Sequence, residues 1–188
     1  MSSIEELLQD YPKSWVLEDG TKVTVRPLTK RDRDNLALFF KHIPEEDLRF
    51  LKDDVTDMRV IDKWIDNLDY ERVLPLVADL DGRIVADASL HRRREGWRRH
   101  LAGLRVVVDP KFRHKGLAAG LVVELMDIAQ AEGLGRLYTE LPADDLPAID
   151  VFKGRGFIEV ARFQRNILDR AGKYHDLVVL HADLAKKG

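Results

Sequence analysis

Residues Arg113-His114-Lys115-Gly116-Leu117-Ala118 carry the pattern R-x-x-G-x-A. Two cations, a glycine and small residues at that spacing suit one task, the holding of an anion by backbone amides. Gly116 has no Cβ to keep a ligand at a distance, Ala118 and Ala119 leave the next turn uncrowded, and Arg113 and Lys115 bring positive charge. The task needs a helix to begin there. The first amides of a helix have no acceptor inside it, and the aligned peptide dipoles add partial positive charge, so a helix N-terminus is suited to phosphate. The same residues are also compatible with an ordinary strand–loop–helix crossover that has a basic loop. They are neither a P-loop nor a dinucleotide fingerprint, because the spacings G-x-x-x-x-G-K and G-x-G-x-x-G are absent from the stretch.

The flanking residues supply the elements that would position this loop. Residues 104–108 are a β-branched run expected as a buried strand, and Pro110, which lacks an N–H, ends its ladder. Leu117, Leu121, Leu125 and Ile128 then recur at helical spacing, with Ala118, Val122 and Ala129 widening the same face. Gly133 and Gly135 mark the end of that helix. Upstream, Ile4, Leu7 and Leu8 fit a short helix, and residues 22–28 alternate as a first strand after the turn signal Glu18-Asp19-Gly20. Thr29 with Asp32 opens a helix striped by Leu36, Phe39, Phe40 and Ile43; Thr56 opens another with Val60, Ile61, Trp64, Ile65 and Leu68 inside. Residues 72–80 and 83–91 are strands around the hairpin signal Asp81-Gly82. Residues 136–141 form a fifth strand, 147–153 a short helix ending at Gly154, and 157–167 and 174–184 two long strands. This order gives an α+β (mixed α/β) layer structure with one long crossover after Val108. Residues 1–19 read as an extension bearing the short helix, and 20–188 as a single domain.

Composition narrows the function classes. The chain has 188 residues, 45% of them hydrophobic and 34% charged, as a globular domain with a real core requires. A net charge of -2 gives no global field for nucleic acid or an anionic membrane. There is no cysteine, which removes disulfides, thiolate metal sites and a cysteine nucleophile. No apolar run reaches membrane-spanning length and residues 1–10 lack a signal-peptide core, so the expected location is cytoplasmic. The basic segment from His91 to His100 reads as a solvated hairpin tip or as a patch facing an acceptor or a phosphate.

Three segments together resemble the GNAT family of acyl-CoA N-acyltransferases, over nearly the whole chain. The first is Val106-Val107-Val108-Asp109-Pro110 running into Arg113–Ala118, similar to the family's strand and Q/R-x-x-G-x-G/A turn. The second, Ala148-Ile149-Asp150-Val151-Phe152-Lys153-Gly154-Arg155-Gly156-Phe157, is similar to A-I-x-L-Y-x-K-x-G-F; the third, Gly172-Lys173-Tyr174-His175-Asp176, to a closing G-x-Y-x-D strand. The resemblance implies a central, mostly antiparallel sheet of six to seven strands, splayed in the middle and flanked by about four helices. It implies acetyl-CoA as cosubstrate and no metal. The amides of Arg113, His114, Lys115, Gly116, Leu117, Ala118 and Ala119 would wrap the pyrophosphate, and Val106, Val107 and Val108 would hydrogen-bond the pantetheine arm. Asp145 stands where many members have an asparagine that contacts coenzyme A, and Phe152 where many have a tyrosine that protonates the thiolate.

The implied reaction is direct attack of a neutral primary amine on the thioester carbonyl, through a tetrahedral oxyanion. The acceptor is a small molecule or a protein lysine, with no nucleic acid or membrane partner, and a homodimer is compatible. Segments 20–28 and 43–50 resemble bacterial protein-lysine acetyltransferases, which often carry a base glutamate on the central strand; Gly103 occupies the matching position here. Glu140, at the end of the fifth strand, is the leading candidate base, with His91 and Asp87 behind it, and Tyr138 is a proton donor if its ring points inward. The rival readings are a catalytically impaired acyl-CoA sensor or scaffold with the same fold, and a nucleic-acid binder using Arg92 to Arg99, whose affinity would be salt-sensitive.

Overall fold

Strand alternation decides which helices cover which face of the sheet. Along β4 (Arg83–Arg92), Ala86, Ala88 and Leu90 point into one core, and Ile84 into the other. The first core is closed by α5 (Leu117–Ala131) and α6 (Leu146–Lys153), the second by α2 (Arg33–His42) and α4 (Met58–Asp66). The stripes foreseen in the sequence are the buried ones: Leu36, Phe39, Phe40 and Ile43 in and after α2, Leu117, Leu121, Leu125 and Ile128 along α5. Each such leucine contributes about 2 kcal/mol by leaving water. The computed structural model describes residues 3–48, 51 and 53–184; Arg49 and Phe50, quoted above for a resemblance, lie outside them.

Among the described residues eight strands make one sheet in the order β1-β2-β3-β4-β5-β6-β8-β7. The remaining strands are β1 (Lys13–Val16), β2 (Lys22–Pro27), β3 (Val73–Leu80), β5 (Leu101–Val108), β6 (Arg136–Pro142), β7 (Ile158–Leu168) and β8 (Tyr174–Asp183). Only β5 and β6 pair in parallel, as the α5 crossover demands. Their pairing stops after three residues, Leu101–Gly103 against Arg136–Tyr138. Beyond that point β5 follows β4 to Val108, while β6 follows β8 to Pro142. The two diverge, and the expected splay is present. At its apex the buried Thr139 hydroxyl donates to the Leu104 carbonyl over 3.1 Å.

The sheet has one strand more than the upper expectation, and six helices are present among the described residues against about four expected. The helix not foreseen is a single turn, α3 (Glu45–Leu48); α1 (Ile4–Leu8), also short, is the one expected in the N-terminal extension beside the four larger ones. The extra strand is β1, too short to announce itself by alternation. It is held by its neighbours instead: the Lys13 ammonium meets Glu124 of α5 at 2.5 Å, Tyr11 also donates to Glu124, and Trp15 lies over Gly120. Residues 1–19 thus contain the foreseen helix and an edge strand as well. Helix α4 begins after Asp57 rather than at Thr56, because the Asp57 carboxylate accepts the Arg59 amide while the Thr56 hydroxyl turns back to Asp54. No helix among the described residues is long and apolar enough to cross a membrane.

Candidate active site

The loop after β5 is shaped residue by residue. Asp109 accepts the Lys111 amide and caps a single 3-10 turn, Pro110–Phe112, whose buried Phe112 anchors it. His114 and Gly116 then both take left-handed backbone angles, φ 56° and 79°, which turns the chain sharply into α5. Among the described residues no acceptor takes the amides of His114 to Ala119. The φ of Gly116 strains any residue that carries a Cβ, and a Cβ there would also stand 2.8 Å from the Glu18 carboxylate, which would have to move. The unpaired amides at a helix start suit a diphosphate, and the chemistry of the cradle fits coenzyme A. The expected cations are near but engaged: Arg113 reaches Asp47 at 2.6 Å, and Lys115 reaches Asp19 at 2.8 Å. The Lys115 ammonium, helped by Thr21, holds the Asp19 carboxyl below the usual range.

Asp145 and Phe152 sit on α6. The Asp145 carboxylate caps that helix by accepting the Ala148 amide at 3.2 Å, and burial pushes its pKa up. Phe152 is buried in the first core, edge-on to Phe157 with ring centroids 5.1 Å apart.

A second concavity lies at the splay. His91, Gly103, Tyr138 and His181 stand in register across β4, β5, β6 and β8. Leu137 points into the first core, so Tyr138 points to the other face. Its ring leans over Gly103: a Cβ there would meet Tyr138 Cζ at 3.0 Å and the hydroxyl at 3.1 Å. The residue that replaces the expected glutamate is therefore the space in which a phenol rests. His91, Arg93, Gly103, Arg105, Tyr138 and Glu140 line a cavity of about 240 Å³ around it. Ser89 Oγ lies 2.9 Å from His91 Nε2. Asp87, two rows further along β4 and outside the cavity lining, is half-buried; burial pushes its pKa up to about 7, against the pull of Arg105. The Arg98 guanidinium stands 5.8 Å from the Tyr138 ring centre, and burial lowers the pKa of His181 beside it.

The structure thus brings Glu140, His91 and Tyr138 together and leaves Asp87, Asp145 and Phe152 apart from them. It also divides the basic segment. Arg92 is buried against Glu132 and donates to the Tyr70 carbonyl, so it is not available to a phosphate backbone, whereas Arg94 pairs with Glu71 at the surface. Arg105 was missed in the sequence, although a lone charge within an apolar strand is a signal. The packing of Tyr138 on Gly103 needs the strand register and had no signal.

A family model described as the acetyltransferase (GNAT) family matches residues 38–157. This chain belongs to the GNAT acetyltransferase family. Its members transfer acetyl groups from acetyl-CoA, and the chain is an acyl-CoA N-acyltransferase. Over 115 residues it is 28% identical to the L-amino acid N-acetyltransferase AaaT of Escherichia coli K12, covering 60% of this chain and 70% of that protein. The crystal structure of the GNAT domain of S. lividans PAT superposes with a TM-score of 0.77 at 20% identity, over 92% of this chain and 96% of that one. YncA, a putative acetyltransferase from Salmonella typhimurium solved with its cofactor acetyl-CoA, superposes with a TM-score of 0.75 at 20% identity, over 88% and 96%. At that identity these two structures establish the shared fold. Among the described residues no group of His, Asp and Glu side chains is arranged to hold a metal.

Proposed function

We propose that this GNAT enzyme passes the acetyl group directly to a primary amine held in the cavity at the β5/β6 splay, with Glu140 and Tyr138 managing the protons. The observation that carries this reading is the Tyr138 phenol resting on Gly103 inside that cavity. Bound acetyl-CoA supplies an acyl thioester, and the chain's own residues do the rest. The amides of 114–119 hold the phosphates, and the open edge of Val106 to Val108 faces the pantetheine arm. Asp145 and Phe152 flank the arm from α6, by their place in the family motif. Glu140 takes a proton from the arriving ammonium, directly or through water, and the Tyr138 hydroxyl gives one to the departing thiolate. That assignment supplies the donor which Phe152 cannot be. The name of the AaaT relative, an L-amino acid N-acetyltransferase, favours a small amine over a protein lysine.

Tyr138→Phe tests the assignment because it removes the hydroxyl and keeps the ring. Thiol release should fall about a hundredfold or more in kcat, as loss of a positioned proton donor does, with KM for acetyl-CoA little changed. An acetyl thioester with a more acidic thiol needs less help, so the deficit should shrink with it. An unaltered kcat would remove Tyr138 from the reaction. Phe152, buried and without an ionisable group, favours one rival, an acyl-CoA sensor with the same fold. That rival predicts acetyl-CoA binding by calorimetry with no thiol release for any amine.

A further inference from the structure

We infer that the acceptor is an amine that also carries an acidic group, a carboxylate above all, and that Arg93 and Arg105 select it. The inference rests on the transfer reading above and adds the chemical class of the molecule that enters the cavity.

The charge on the cavity wall is lopsided. Arg93 and Arg105 face it, and Glu140 is the one carboxylate among the described residues that line it. Arg92 also borders the cavity but is neutralised by Glu132. Arg98, outside the cavity lining, adds a cation near the Tyr138 ring. A polyamine or the ammonium of a lysine side chain brings further positive charge to such a site, with Glu140 alone to offset it. An amine tied through a few bonds to a carboxylate meets both needs. Its nitrogen reaches Glu140 and Tyr138 while its carboxylate meets guanidinium groups, which present paired donors to planar oxyanions.

The two arginines are poised for this. Arg93 is exposed and makes no hydrogen bond or ion pair among the described residues. Arg105 makes one ion pair there, with Asp53 at 3.5 Å, beyond hydrogen-bonding range, and acts at longer range on the Asp87 carboxyl. The pair is solvent-accessible on both sides, and such pairs are weak enough for a bound carboxylate to displace. Arg105 also interrupts the apolar run of β5, between Leu104 and Val106, where a strand built for packing alone would carry another aliphatic residue. The cavity's size admits a molecule of about amino-acid dimensions.

Thiol release is measured with matched pairs, a free L-amino acid and its amide (leucine and leucinamide, for example), and with a lysine-containing peptide blocked at both ends. The acid should exceed its amide in kcat/KM by about tenfold to a hundredfold, the worth of a charge-assisted hydrogen bond or two. The neighbouring carboxylate makes the acid's amine more basic and so less often neutral, so amine basicity works against this preference. Arg93→Gln and Arg105→Gln should each reduce the ratio, and the double variant should bring it near one through a raised KM for the acid. Arg93 is exposed, so its variant keeps the test readable if Arg105→Gln folds poorly. Equal rates for acid and amide, a preference for the blocked peptide, or a ratio that survives in the double variant overturn the inference and leave the transfer reading standing. No turnover with any amine overturns both.

Discussion

Strand β5 carries a candidate functional surface at each end, and the two are made of different material. At its C-terminal end the surface is backbone: amides opened by the left-handed turns at His114 and Gly116 and aligned by α5. At its N-terminal end the surface is side chains, brought from β4, β5 and β6 into one cavity by strand register. A backbone site tolerates changes of side chain except where a Cβ would intrude. A side-chain site depends on which residue each neighbouring strand presents. The two ends should therefore fail in different ways.

The largest effect is expected where the acceptor end is anchored. The β4 end of the cavity hangs on the buried Arg92–Glu132 pair, and Arg92 Nε and Glu132 Oε2 have no further partner among the described residues. Glu132→Leu strands a guanidinium in the core and should cost about 3–5 kcal/mol in urea unfolding. A loss below ~1 kcal/mol, the worth of a surface pair, would mean Arg92 reaches water instead. At the cofactor end, Gly116→Val should weaken acetyl-CoA by about a hundredfold in calorimetry, since it combines a strained φ with a clash at Glu18. Undiminished affinity would place the coenzyme elsewhere.

A smaller effect comes from Asp87. Burial raises its pKa from 3.8 to about 7, so the fold prefers the neutral acid. The stability it contributes is complete below the ordinary carboxylate range and is lost as pH rises from about 4 to about 7. Asp87→Asn should thus be more stable than the parent at pH 8, with the gap closing toward pH 4. A pH-independent difference would refute the buried carboxyl. The smallest effect belongs to Asp19→Asn, which frees Lys115 for the phosphates. Acetyl-CoA should bind about twofold to threefold tighter at low salt, and the gain should fade at high salt as exposed charges are screened. Weaker binding would mean that the Asp19 contact is needed to hold the loop.

Legibility in the sequence follows the same division. The Arg113–Ala118 turn, the α5 stripe and the β5 run are local, so each could be read from residues a few positions apart. The helix cap at Asp57 and the edge strand β1 could not: Asp57 won over Thr56 by geometry, and β1 depends on Glu124 and Gly120 more than a hundred residues away. Glu140 was legible as a carboxylate at a strand end. Arg93 was hidden in a run of arginines, of which Arg92 and Arg94 turned out to be ion-paired to acids.

The sequence by itself determined the α+β order, the helix that gathers the amides and the glycine that lets them be approached, because backbone conformation is set by neighbours along the chain. The tertiary structure alone decided that Tyr138 rests on Gly103, that Arg93 and Arg105 share a wall with Glu140, and that the Arg92 guanidinium is tied to Glu132 in the core. Those outcomes depend on register between strands, and a shift of one residue would turn each of these side chains to the opposite face.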